Sequence, residues 1–268
     1  MVVKVRPADA PPTRPRLVPP TPDPAAEAAD DGEAADDGEA DDETADDQAA
    51  DAADGDADGG LVVELEPGER LAVWKPTAGE RPLFDFPLGT LSRREVAAYR
   101  LSEALGWGIV PPTVLRDGPY GEGMLQLWID VDRNVDVVAL VMADDPRLRR
   151  IALFDAIANN TDRKGGHLLP ARDGQLYVVD HGVTFSTDPK LRTILWAWEG
   201  EPFDAAELAA LRALATDLAA GTPLDRSLRE LLSAAEVAAT RRRLATLLTA
   251  RRFPSPSPDW PAIPWPPF

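Results

Sequence analysis

Apolar residues are scarce over the first sixty positions and then recur with two different spacings. Leu61-Val62-Val63-Glu64-Leu65 and Leu71-Ala72-Val73-Trp74-Lys75 are short apolar runs separated by Pro67-Gly68-Glu69. This predicts two strands joined by a turn, the second stopped by Pro76. Val96, Ala97, Tyr99, Leu101 and Leu105 then fall at helical spacing, with Gly106 as a stop. Ser92-Arg93-Arg94-Glu95 ahead of them has the spacing of a capping box. Residues 109–115 and 123–129 predict two more strands around a polar turn at Arg116-Asp117-Gly118-Pro119. The loop at 77–90 carries Phe84 and Phe86, which predicts that it folds back on the core.

Past residue 131 the pattern becomes mostly helical. Residues 135–142 are a short apolar segment, and 146–159 read as a helix with Leu148, Ile151, Ala152, Phe154, Asp155 and Ile157. Asp204-Ala205-Ala206-Glu207 opens a helix to about residue 220, and Ser233-Ala234-Ala235-Glu236 opens a last one. The last helix ends on Arg251-Arg252, basic residues that suit a helix C-terminus. The expectation is an α+β chain with a small β-rich unit over residues 61–130 and a mostly helical unit over 131–252.

Composition changes the picture at both ends. Residues 1–24 hold eight prolines, and 25–60 are almost entirely Ala, Asp, Glu and Gly. Neither stretch buries enough apolar surface to offset chain entropy, so 1–60 is expected to be a disordered, acidic tail. Residues 253–268 hold seven prolines with Trp260 and Trp265. They either lie extended on the surface or dock as an aromatic clamp. The net charge is −18, of which −14 falls in residues 1–60, leaving −4 for the remainder. A nucleic-acid binder with a basic face is not indicated. The chain has no cysteine, which excludes a disulfide framework, a thiolate metal site and a cysteine nucleophile. No apolar run approaches the roughly 18 residues of a membrane span, and the N-terminus lacks the apolar centre of a signal peptide. A soluble cytoplasmic protein is expected.

The candidate chemistry lies at Asn159-Asn160-Thr161-Asp162-Arg163-Lys164-Gly165-Gly166-His167 and at Val179-Asp180-His181-Gly182. These pieces contain both histidines of the chain. Between them, two short strands flank a turn at Arg172-Asp173-Gly174. Asp162 precedes His167 by five positions, and Asp180 follows His167 by thirteen. An acid that orients a hydroxyl, a metal-binding residue five positions later and a metal-binding Asp after a hairpin form a phosphoryl-transfer pattern. A carboxylate takes the proton of an acceptor hydroxyl, and Mg²⁺ requires hard oxygen ligands. Lys75 and Lys164 are candidate cations for the developing phosphoryl charge. On its own Lys75 reads as an edge lysine packed on Trp74, and Glu95 either caps its helix or reaches across to Lys75.

The two loops resemble the catalytic and metal-binding loops of type II phosphatidylinositol 4-kinases and of the wider phosphatidylinositol 3-/4-kinase-like group. Lys75-Pro76, residues 79–87, Arg94-Glu95-Val96-Ala97-Ala98-Tyr99, Glu103-Ala104-Leu105-Gly106-Trp107 and Val110-Pro111-Pro112-Thr113 are similar to an actinobacterial family of phosphatidylinositol-kinase-like proteins. The resemblance covers roughly 61–268. It implies a bilobal protein-kinase-like fold that uses ATP and Mg²⁺ or Mn²⁺. It makes Lys75 the nucleotide lysine, Glu95 its partner, and Gln126-Leu127-Trp128 the segment beside the adenine. Asp162 becomes the catalytic acid, and Asp180 and His167 the metal ligands. The acceptor is open among lipid, protein and small molecule. His167 stands where Asn is usual, which favours softer metals such as Mn²⁺. Residues 1–60 lack the Ser-Asn-Ala-Thr-like phosphate-covering element of the family. Both departures keep two alternatives in view, a catalytically impaired nucleotide-binding module and an enzyme that transfers AMP.

Overall fold

The computed structural model describes residues 1–5, 16–17, 69–118 and 120–268. The strand expected at 61–65 lies outside these residues, as do Pro67, Gly68 and the whole acidic stretch 25–60. A five-stranded antiparallel sheet comes first, built from β1 (Val2–Val5), β2 (Arg16–Leu17), β3 (Arg70–Pro76), β4 (Thr113–Gly118) and β5 (Gly121–Leu127). Its order is β2-β1-β3-β5-β4. The expectation of disorder from residue 1 therefore fails at its first residues. Val3 is fully buried with Ala72 and Trp74, and β1 pairs Val2 with Val73 and Val3 with Ala72. Two valines beside a run of prolines are too short a signal to read in isolation, and the partner strand supplies what is missing.

β3 is the central strand, flanked by β1 and β5. Ala72 and Trp74 alternate into the sheet's own apolar cluster. Lys75, the next residue, therefore leaves the opposite face. Trp74 stacks on Tyr120, with ring centroids 5.9 Å apart. A Cβ on Gly118 would stand 2.2 Å from the Trp74 ring, so the β4–β5 hairpin needs glycine there to cover the indole.

After β3 a single 3₁₀ turn, Thr77–Gly79, leads into the loop before α1 (Leu91–Ala104). Phe86 in that loop is buried, whereas Phe84 is 95% exposed, so half of the expected folding-back occurs. The capping box expected at Ser92–Glu95 does not form. The Glu80 carboxylate accepts the Leu91 and Ser92 backbone N–H groups at 3.1 and 2.7 Å, and the Ser92 hydroxyl at 2.7 Å. A cap supplied by a residue eleven positions upstream leaves Glu95 available for other use. The strand expected at 109–115 begins only at Thr113. Pro111 and Pro112 have no N–H to give, and the Ile109 and Val110 N–H groups donate to the Ser102 hydroxyl instead.

The helical part is organised around α3 (Pro146–Ala158), which Asp145 caps and Pro146 starts. Every residue of α3 from Ile151 onward is buried. It packs in one core with α4 (Ala205–Asp217), α5 (Pro223–Arg229) and α6 (Ala234–Ala250). A short α2 (Val137–Val141) precedes it, and the hairpin of β6 (Leu168–Pro170) and β7 (Leu176–Val178) follows it. α5 was not expected, although Thr222 as cap and Pro223 at the first position are its start signals. The architecture is thus α+β, a small sheet unit followed by a helical one. Among the described residues no helix is long and apolar enough to cross a membrane.

Candidate active site

Asn159 ends α3 in the left-handed conformation, with φ 55°. Its amide donates to the Ser186 and Asp188 carbonyls at 3.2 and 2.7 Å, and its Oδ1 accepts the Lys190 N–H at 3.0 Å. Asn160 donates to Asp155 Oδ1 at 3.0 Å and accepts the Asp162 N–H on its own Oδ1, also at 3.0 Å. The two asparagines therefore fix the direction in which the chain delivers Asp162.

Asp155, an acid within the apolar run of α3, is completely buried against Arg163, which is also completely buried. Their closest nitrogen–oxygen distance is 3.0 Å, and Thr193 adds a hydroxyl to the same carboxylate. Arg163 also donates to the Val179 carbonyl at 2.8 Å, tying the Asp162 loop to the strand end that carries Asp180. A second Arg163 nitrogen lies 2.8 Å from His181 Nε2. A guanidinium has no acceptor, so Nε2 must be the unprotonated nitrogen and His181 is neutral. Burial, with Arg163 beside it, holds the His181 pKa well below its ordinary value.

The charged groups converge on one cleft of about 450 Å³, lined by Lys75, Glu95, Met124, Asp162, His167 and Asp180 among others. Lys75 Nζ donates to Asp180 Oδ1 at 2.5 Å and lies 3.5 Å from Glu95 Oε1. Glu95 is anchored from behind by the His181 backbone N–H at 2.9 Å. Of the two uses open to Glu95, the reach to Lys75 is the one made. Burial alone would lower the Lys75 pKa, but the Glu95 and Asp180 carboxylates more than offset this and raise it, so the ammonium stays charged. Burial pushes Glu95 up, against the opposing charge of Lys75. Burial would also raise Asp180, yet Lys75 dominates and holds it down at about 2.

Asp162 stands between two cations, Arg192 at 3.5 Å and Lys164 at 3.6 Å. Burial nevertheless raises its pKa above the ordinary value, with Lys164 and Arg192 opposing. That is the direction that makes a carboxylate a better base. His167 Nε2 lies 3.5 Å from Asp180 Oδ2. Burial lowers the His167 pKa to about 4, so its imidazole is neutral near pH 7 and able to ligate. Asp180 and His167 together offer one oxygen and one nitrogen donor. Among the described residues no group of three metal-ligating side chains occurs. The pair suits a divalent cation that brings its remaining oxygens on a phosphate chain and water.

Gln126, Leu127 and Trp128 are not among the residues lining the cleft. The Gln126 amide donates to Thr113 Oγ1 at 2.9 Å, and the Leu127 and Trp128 N–H groups are taken by the Pro112 and Leu71 carbonyls. Within the sheet the Gln126 side-chain amide and the Leu127 and Trp128 N–H groups are thus already engaged. Lys164 also lies outside the lining, paired with Asp162. Met1, Glu80 and Arg192 were not expected at the site. Met1 lines the cleft because β1 pairs beside β3, and its carbonyl accepts the Trp74 N–H at 2.8 Å.

The C-terminal segment docks rather than trailing. The Ala262 carbonyl accepts the Thr193 N–H at 3.1 Å and the Trp196 indole N–H at 2.9 Å. The Pro267 carbonyl accepts the Gly165 N–H at 2.8 Å. A Cβ on Gly165 would stand 2.1 Å from the Phe268 ring, so the ring rests on the bare backbone of the Asp162 loop.

No family model matches the chain. Protein Rv2133c of Mycobacterium tuberculosis (strain ATCC 25618 / H37Rv) is 45% identical over 231 residues, covering 73% of this chain and 82% of that protein. The chain belongs to the Rv2133c family. A second relative of this Rv2133c-family protein is phosphatidylinositol 4-kinase gamma 4 of Oryza sativa subsp. japonica. It is 28% identical over 152 residues, covering 48% of this chain and 27% of the rice protein. Among solved structures, the Golgi casein kinase with Mn/ADP bound aligns with a TM-score of 0.43 and 15% identity, covering 68% of this chain and 67% of that one.

Proposed function

We propose that this member of the Rv2133c family is an ATP-dependent phosphotransferase. The observation that carries the reading is the meeting of Lys75, Glu95, Asp162, His167 and Asp180 in one cleft from four separate stretches of the sequence. In kinases a strand lysine paired to a helix glutamate holds the nucleotide phosphates, a loop Asp orients the acceptor, and a later Asp holds the metal. Here the lysine is on β3, the glutamate on α1, the loop Asp follows α3, and the later Asp follows the β6–β7 hairpin. The local similarity to a plant phosphatidylinositol 4-kinase supports the same reading.

Each residue then has a task that its surroundings allow. Lys75 stays protonated and contacts phosphate oxygens, while Glu95 holds it in place. Asp162 orients an acceptor hydroxyl and takes its proton, helped by its raised pKa. Asp180 and neutral His167 would hold Mg²⁺ or Mn²⁺, which when bound neutralises phosphate charge. Lys164 and Arg192 flank the Asp162 carboxylate and hold it between two cations. The acceptor is an alcohol-bearing lipid, protein or small molecule.

The test is phosphoryl transfer from γ-labelled ATP to a panel of those three acceptor classes, with ADP release measured in parallel. Asp162→Ala should slow turnover by about 10²–10⁴-fold, the usual effect of losing a general base. Asp180→Ala should abolish metal-dependent turnover. Turnover that neither substitution alters contradicts the assignment. Nucleotide binding without any turnover would make the protein a nucleotide-binding module instead.

A further inference from the structure

Three residues before Asp162, Asn159 also lines a second cavity of about 350 Å³. Its walls are the end of α3, the turn at 187–191, α6 and the start of the C-terminal segment. Two adjacent arginines, Arg242 and Arg243, face it, and no Asp or Glu is among its lining residues. Among the described residues neither arginine has an ion-pair partner. Arg243 donates only to neutral acceptors, the Ile157 and Ser186 carbonyls at 3.0 and 2.9 Å and Thr240 Oγ1 at 3.0 Å. Burial, with Arg242 beside it, pushes the Arg243 pKa down to about 10. A largely desolvated Arg243 guanidinium with a second cation nearby and no carboxylate is costly unless an anion joins it. The Thr187 and Ser255 hydroxyls also line the cavity and make no hydrogen bond within the described residues.

We propose that this cavity binds a small organic phosphate monoester, independently of the nucleotide cleft. Arg242 and the remaining N–H groups of Arg243 would meet the phosphate, and Thr187 and Ser255 would donate to its outer oxygens. Two cations match a phosphate dianion, and four donor groups match its oxygens. A carboxylate is satisfied by a single guanidinium fork and would leave the second arginine unpaired. Leu191, Leu247 and Pro254 supply apolar wall for the organic body. The volume lies at the small end of the range for ligand pockets, which limits the guest to a compact molecule.

The experiment titrates phenyl phosphate into the full-length protein by calorimetry, with inorganic phosphate and benzyl alcohol as the two half-ligands. Saturable binding of phenyl phosphate is expected. Inorganic phosphate should bind about 10-fold or more weakly, and benzyl alcohol not measurably, since each lacks one of the two interactions. Arg242→Gln, an exposed position outside the core, should weaken phenyl phosphate by about 10-fold, as should Thr187→Val to a smaller degree. Lys75→Met should leave the affinity unchanged, because that lysine belongs to the other cleft. No binding to the wild type overturns the proposal, as does binding insensitive to Arg242→Gln. Loss of binding in Lys75→Met would place the ligand in the nucleotide cleft and overturns it too. Equal affinity for inorganic phosphate would refute the organic body.

Discussion

His167 is the residue at which the site departs most from a standard kinase pattern, and it makes a clear prediction. Its ordinary pKa is 6.5, and burial lowers it to about 4 in the folded chain. The unfolded chain therefore takes up this proton near pH 6.5, while the folded chain resists until near pH 4. The stability that the neutral, buried imidazole contributes is complete above pH 6.5. It is lost as pH falls from 6.5 toward 4, by on the order of 3 kcal/mol. Urea unfolding across that window should show a smaller loss in His167→Asn than in the wild type. An identical pH dependence in the two proteins would show that the imidazole is already protonated when folded. His181 moves in the same direction, so its contribution persists in the variant and serves as the internal reference.

At the scale of elements, the Asp162 loop is held between α3 and the docked C-terminal segment. Gly165 has no side chain because the Phe268 ring occupies that space. Gly165→Ala should displace the ring, expose residues 262–268 to faster hydrogen exchange, and lower turnover by perturbing the loop. Phe268→Ala should restore the loop in the double variant, since the clash is then removed. A double variant no better than Gly165→Ala would show that the ring does not define the loop. Sequence alone left this open, because a proline- and tryptophan-rich tail fits both an extended and a docked state. From β3 onward the order of strands and helices was readable from periodicity, with α5 the exception. The cap on α1 was not, because Glu80 supplies it from outside the helix. The hydrogen-bond partners of Gln126, Leu127 and Trp128 were not legible for a related reason. Resemblance carries a residue's position along the chain but not which of its hydrogen bonds are already made within the sheet.

Across the whole molecule, the sheet unit and the helical unit are joined by charge buried at their junction. Arg94 on α1 is almost completely buried, pairs with Glu236 on α6, and donates to the Thr184 carbonyl. Its guanidinium also lies over the Phe86 ring, 4.7 Å from the centroid. Arg94→Ala leaves Glu236 half of a broken buried pair and should destabilise the protein by about 3–5 kcal/mol, measured by urea unfolding. A loss well below 1 kcal/mol would mean that the junction is not held there. In sequence this residue stands inside the Ser92–Glu95 capping-box spacing, and only tertiary packing shows that it faces inward. The same applies to Asp155 and Arg163, whose eight-residue separation conceals a fully buried pair. Lys75, Glu95, Asp162 and Asp180 were singled out by residue type, order and resemblance, and the structure lines one cleft with all four.

Lys75, Glu95, Asp162, Asp180 and His167 are the residues proposed to form a nucleotide site. Calorimetric titration of ATP with Mn²⁺ or Mg²⁺ into the wild type, Lys75→Met and Asp180→Ala tests it most directly. Metal-dependent binding is predicted for the wild type, weakened by about 10-fold or more in each variant through the loss of a charge-assisted contact. Absence of ATP binding in the wild type with either metal, or equal affinity in all three proteins, would contradict it.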